Sequence, residues 1–118
     1  MTPELESRLY AAYPSLFHRE TWIDTESAMQ RGCCCGDGWF AILDALCECI
    51  AWSVEHENMP PVEVRQIKEK FGSLRFRYSG GDDRTRALVV LAQALSVRVD
   101  EDASFNERAA TRYVDLRD

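Results

Sequence analysis

Five cysteines carry the most evident chemical potential of the chain: Cys33, Cys34 and Cys35 in an unbroken run, then Cys47 and Cys49. Thiolates ligate zinc or act as nucleophiles, and His18 and His56 are the two histidines that would complete either set. The spacing fits zinc badly. Paired zinc cysteines are normally separated by two residues or more, so that the backbone can wrap the ion. Three consecutive cysteines cannot all point inward, and Cys47 and Cys49 diverge by about 200° on an α-helix. These residues are expected to be small buried side chains, with no metal and no other cofactor. In a thiol enzyme, Cys35 would be the nucleophile, since it precedes a helix N-terminus that lowers a thiol pKa. His18 or His56 would be its base and Asp37 the orienter. Almost any chain with these residue types qualifies, so no catalytic residue is assigned and a non-enzyme is expected. Asp37, Asp82 and Asp83 sit among glycines in no EF-hand register, and turn and cap chemistry explains them better.

The charges offer another chemistry. Twenty acids against fourteen lysines and arginines give a net charge of −6, unevenly spread. Between residues 62 and 78, Arg65, Lys68, Lys70, Arg75 and Arg77 meet only Glu63 and Glu69. Such a strip suits phosphates or an acidic protein, and it also describes the solvated outer face of an amphipathic hairpin. The acidic body disfavours non-specific binding to nucleic acid. Glu48, Glu55 and Glu57 are the acidic counterpart of the strip. Both sets are candidate partner-binding residues.

The elements that must position these groups follow from periodicity. Pro3 suits a first helical turn after Thr2, Leu5, Leu9 and Ala12 share a face, and Pro14 ends the segment, which predicts a helix over about 3–13. Residues 14–37 show no clear period and are expected to be irregular, anchored by Leu16, Phe17, Trp22 and Ile23. Trp39, Leu43, Leu46, Ile50 and Val54 step by four, three, four and four, which predicts a helix over about 38–57 with Asp37 as its cap. Val62 and Val64, then Leu74, Phe76 and Tyr78, alternate with polar residues around Gly72, which predicts a β-hairpin over about 62–78. Ile67 breaks the parity, so a bulge is expected near Arg65-Gln66. Gly80-Gly81-Asp82-Asp83 would cap a helix over about 84–97, with Leu88, Leu91, Ala92 and Leu95 on one side. Ser104 and Glu107 suggest a capping box for a short helix from Phe105 to Thr111, and Tyr113, Val114 and Leu116 a last strand. Trp39, Phe40, Phe71 and Phe76 are read as core, and an exposed Trp22 or Trp52 would mark a contact. The expected architecture is α+β: one domain over 1–118, with a small antiparallel sheet and helices packed on one face. No apolar run approaches the ~20 residues of a bilayer span. Met1 to Leu9 lack the pattern of a secretion signal, and the odd cysteine count suits a reducing compartment, so a cytoplasmic protein is expected.

Tyr13-Pro14-Ser15-Leu16-Phe17, Cys35-Gly36-Asp37-Gly38-Trp39-Phe40 and the run from Gln66 through Tyr78 together resemble a family of small bacteriophage and prophage proteins. The resemblance spans roughly residues 8–97. The family has no assigned activity to carry over. Its relatives often continue into a cysteine-rich ribbon that suits zinc, whereas this chain has no cysteine after Cys49. The resemblance therefore implies a shared core without that ribbon.

The function expected is that of a non-enzymatic phage or prophage accessory protein in the cytoplasm of a bacterial host. It would act by protein–protein binding, for instance as an inhibitor of a defence complex such as a CRISPR effector. An acidic surface would dock on a nucleic-acid channel, with the basic strip as the other option. The alternatives are a nucleic-acid-binding regulator that uses the strip, and a zinc- or thiol-dependent protein. No membrane partner is expected, and the oligomeric state is left open.

Overall fold

The computed structural model describes residues 1–104. The helix expected from Phe105 to Thr111 and the strand expected at Tyr113, Val114 and Leu116 lie outside the described residues. The fold is α+β. Three helices, α1 (Pro3–Ala12), α2 (Phe40–His56) and α3 (Asp83–Ser96), accompany a three-stranded sheet of β1 (Cys33–Cys34), β2 (Val62–Lys70) and β3 (Ser73–Gly80). No helix among the described residues is long and apolar enough to cross a membrane.

The hairpin forms for the reason its alternation suggests. Val62, Val64, Ile67, Leu74 and Phe76 are buried, and the β2–β3 register slips between Val64 and Gln66, at the expected bulge. The turn is a two-residue loop, Phe71-Gly72, with φ of 55° and 79°. Two positive φ values mark the type I′ geometry that matches the twist of paired strands. The sheet also has a strand with no period to announce it. Cys33 and Cys34 pair in parallel with Ile67 and Lys68, so the sheet is mixed rather than purely antiparallel. The backbone N–H of Cys33 donates to the Glu6 carboxylate at 2.6 Å, which ties β1 to α1.

α2 presents the expected apolar face. Phe40, Leu43, Leu46, Cys47 and Ile50 are buried, and Ala51 and Val54 are half-buried. Its cap differs from expectation. Asp37 opens a 3₁₀ turn (Asp37–Trp39), and its carboxylate accepts the Thr2 N–H at 2.8 Å instead of capping the helix. Thr2 holds the N-cap position of α1 but makes no side-chain cap bond. Leu5, Leu9 and Tyr10 are the buried residues of α1, while Ala12 is exposed. The Tyr13 hydroxyl donates to the buried Asp44 carboxylate at 2.7 Å, which gives that charge a partner inside the fold.

α3 is capped as expected. The Asp82 side chain accepts the Arg84 N–H, and the Thr85 hydroxyl accepts the Asp82 N–H. Its orientation is different. Thr85, Val89, Ala92 and Ser96 face inward, whereas Leu91 and Leu95 are exposed. The cause lies in the sheet edge. The Leu74 N–H donates to the Ser96 hydroxyl at 2.9 Å and the Phe76 N–H to the Gln93 side-chain oxygen at 3.0 Å. Unpaired edge N–H groups invite foreign strands, and here α3 covers them with its few polar side chains. Its apolar stripe is turned outward as a result.

Candidate functional site

The β2–β3 register builds the basic strip. Lys68 pairs with Arg75 and Gln66 with Arg77, while Lys70 pairs with Ser73. Cross-strand partners share a face, so Lys68, Arg75 and Arg77 line the outer side of the sheet, with Lys70 at its tip end. Arg65 stands apart because it sits in the bulge. Its Nε donates to the Ser79 hydroxyl at 3.1 Å, and its guanidinium lies 3.4 Å from the Glu63 carboxylate. Four of the five expected bases are thus brought together. Lys68, Lys70, Phe71, Arg75, Arg77 and Gln93 line an open depression of about 400 Å³. The Nε of Arg75 is buried with no hydrogen-bond partner among the described residues.

Ile23, expected as an anchor of residues 14–37, is instead 78% exposed. Phe71 is also placed wrongly by sequence reasoning. It is 90% exposed at the hairpin tip, not in the core, and the Lys70 ammonium lies 5.6 Å from its ring centroid. The signal available was its place between Lys70 and Gly72, the two-residue turn itself. Trp22 and Trp52 are both half-buried; Trp22 packs edge-on to Tyr10 and Trp52 against His56.

The acidic candidates lie on another element. Glu48 is half-buried on α2, and Glu55 and Glu57 are exposed at the C-terminal end of that helix. Glu55 lies 3.8 Å from His56, and the Glu57 carbonyl accepts from Arg84 at 2.9 Å. The acids and the basic strip therefore form two separate surfaces.

The cysteines are spread through the packing. Cys33, Cys35 and Cys47 are buried, Cys49 is half-buried and Cys34 is exposed. Burial pushes the thiols of Cys33 and Cys35 up to about 12 and raises that of Cys47, the reverse of nucleophile activation. Cys49 is raised by burial and by Glu48. Among the described residues no group of three Cys, His, Asp or Glu is placed to hold a metal ion. His18 contacts the Ser15 carbonyl at 3.0 Å. A disulfide reagent added to the native protein at mildly alkaline pH is expected to label Cys34 first. Cys33, Cys35 and Cys47 should react only on unfolding. Native-state labelling of any of these three at the rate of Cys34 would contradict this burial.

The Cys35 to Phe40 motif is a clamp. The Gly36 N–H donates to the Glu101 carboxylate at 3.0 Å, the Gly38 N–H to the Glu101 carbonyl at 2.8 Å, and the Trp39 indole N–H to the Val99 carbonyl at 2.8 Å. A Cβ at Gly36 or Gly38 would collide with the carbonyl oxygen of Glu101 or Asp100. The motif holds residues 99–101 against the end of α2, which is a structural task.

No family model, curated protein or solved structure matches the chain.

Proposed function

We propose that this chain is a non-enzymatic protein-binding module that works through the outer face of the β2–β3 hairpin. Phe71 enters an apolar pocket of the partner, and Lys68, Lys70, Arg75 and Arg77 meet an acidic rim around that pocket. The observation that carries this reading is Phe71 itself, 90% exposed with φ at 55°. A bulky side chain at positive φ costs about 1 kcal/mol or more, and its exposure leaves no burial to offset that cost in the isolated chain. Strain of this kind collects where a side chain is needed for contact. Aromatic and arginine residues are also the usual energetic centres of protein interfaces.

The same residues would let a nucleic-acid base stack on Phe71 between cations. Four clustered bases on a chain of net charge −6 make that reading the second one, since the long-range field repels a polyanion. The acids Glu48, Glu55 and Glu57 are the less favoured surface, because Glu48 is half-buried and the aromatic residue among them, Trp52, is itself half-buried against His56. The resemblance to phage and prophage proteins supports a bacterial host protein as the partner. Its concrete form is inhibition of a defence complex such as a CRISPR effector, in the bacterial cytoplasm.

The test is a pull-down from nuclease-treated bacterial lysate with the native chain and with Lys68→Glu/Arg75→Glu. One stoichiometric protein, kept after nuclease and lost by the charge-reversed chain, is the expected result. Loss of every partner on nuclease treatment would give the strip to nucleic acid. Retention of the same partner by the variant would remove the strip from the function.

A further inference from the structure

The depression beside the hairpin tip is lined by donors alone. Arg75 is half-buried there, and its buried Nε has no hydrogen-bond partner among the described residues. A buried N–H left unpaired opposes folding, so the chain keeps this guanidinium in place at a cost in stability. Gln93 adds a neutral donor. Its side-chain oxygen accepts the Phe76 N–H at 3.0 Å. Only the oxygen of an amide accepts, so this bond fixes the orientation of the group and leaves its NH2 to the depression. Lys68, Lys70 and Arg77 complete the lining. Among the described residues no carboxylate lines this space, and none of the four cations makes an ion pair. Glu69, between the two lysines, turns instead to the Gly72 N–H at 2.6 Å. Like charges gathered in this way repel one another until a counter-charge arrives.

We infer that this depression binds a phosphate monoester, whose terminal oxygens accept from the Arg75 guanidinium and the Gln93 NH2 while Lys68, Lys70 and Arg77 surround them. A carboxylate fits less well. It is planar, carries a single charge and is satisfied by one guanidinium fork. The donors here come from three elements instead, β2, β3 and α3. A phosphate monoester brings about two negative charges at neutral pH and three terminal oxygens, which suits donors that converge from three sides. The phosphodiester of a nucleic acid carries one charge per unit, and a chain of net charge −6 repels its length. The inference rests on the hairpin reading, because it uses the same face and gives the acidic rim a chemistry. A phosphorylated side chain of the partner and a free phosphorylated small molecule would supply the same group, and the test separates them.

Titration of the full chain with phenyl phosphate at constant ionic strength, followed by NMR, should shift the Gln93 side-chain NH2 and the Arg75 Nε–H signals and saturate. Acetate should bind at least ~10-fold more weakly. Gln93→Glu is the sharpest variant. Its carboxylate still accepts the Phe76 N–H but puts an acceptor where the NH2 donor was, so the circular dichroism should stay native while phenyl phosphate weakens at least ~10-fold. Arg75→Gln should weaken it by the same order. Equal binding of acetate and phenyl phosphate would overturn the inference, and so would full binding by Gln93→Glu. Phosphatase treatment of the lysate before the pull-down identifies the source. Loss of the partner assigns the phosphoryl group to a side chain of that protein, and a retained partner that phenyl phosphate displaces assigns it to a free small molecule. A chain that binds phenyl phosphate but retains no partner would keep this site and remove the hairpin reading. A partner retained by a chain that binds no monoester would do the reverse.

Discussion

Trp39→Ala is expected to lower the unfolding free energy by about 3–5 kcal/mol, a large part of the ~5–15 kcal/mol that holds a domain of this size. Trp39 is 1% exposed, so truncation leaves a cavity between the start of α2 and the sheet. It also removes the indole N–H that holds the Val99 carbonyl at 2.8 Å. Trp39→Phe separates the two effects. It keeps most of the apolar volume but drops the bond, and should cost about 1–2 kcal/mol for the lost bond and the residual gap. Gly38→Ala probes the same clamp from the backbone side, since its Cβ would strike the Asp100 carbonyl. Denaturant unfolding reads all three. If Trp39→Ala kept the native midpoint, Trp39 would not be packed in the core and the indole bond to Val99 would not hold the motif in place.

The hairpin and α2 were legible because their patterns answer to one demand each. In β2 and β3 the demand is a single buried face, so period two places Ile67, Leu74 and Phe76 inside and Lys68, Arg75 and Arg77 outside. The parity break at Ile67 even marked the bulge, although not that Arg65 would leave the strip to join Ser79 and Glu63. β1 was not legible, because two residues carry no period and their pairing depends on β2, far along the chain. The inward face of α3 was hidden for a different reason. Leu88, Leu91 and Leu95 form the stronger apolar stripe, but the open N–H groups of Leu74 and Phe76 require Ser96 and Gln93. One of these hydrogen bonds is buried and the other part-buried. An unsatisfied buried N–H costs about 1–3 kcal/mol, the same order as leaving a leucine exposed, so the two bonds offset the exposure of Leu91 and Leu95. Thr85 reinforces the choice, donating to the Met59 sulfur at 3.1 Å while accepting the Asp82 N–H. The Cys35 to Phe40 motif was recognisable as a fold element, yet its partner, residues 99–101, lies some 60 positions later and has no pattern to reveal it.

Phe71→Asn is expected to move stability and binding in opposite directions. The first position of a type I′ turn favours asparagine, whose side chain tolerates positive φ, so relieving Phe71 of its φ of 55° should return about 1 kcal/mol or more. A ring 90% in water contributes little to the core. The cation–π contact with the Lys70 ammonium, 5.6 Å from the ring centroid, is worth about 0.5–1 kcal/mol and offsets part of that gain, so the net rise in stability should be about 0.5 kcal/mol. Binding should fall sharply. An aromatic anchor removed from the centre of an interface costs about 2 kcal/mol or more, roughly 30-fold in affinity. Lys68→Glu/Arg75→Glu should weaken the same complex chiefly through slower association, with the difference shrinking as salt rises. Unfolding in denaturant reads the first effect, and titration calorimetry against the partner retained after nuclease treatment reads the second. A Phe71→Asn chain that is less stable than the native one would mean that the ring is packed. A more stable chain that still bound at native affinity would mean that the strained tip serves some other purpose. Gain in stability with loss of the partner is the pattern that a strained, exposed anchor requires.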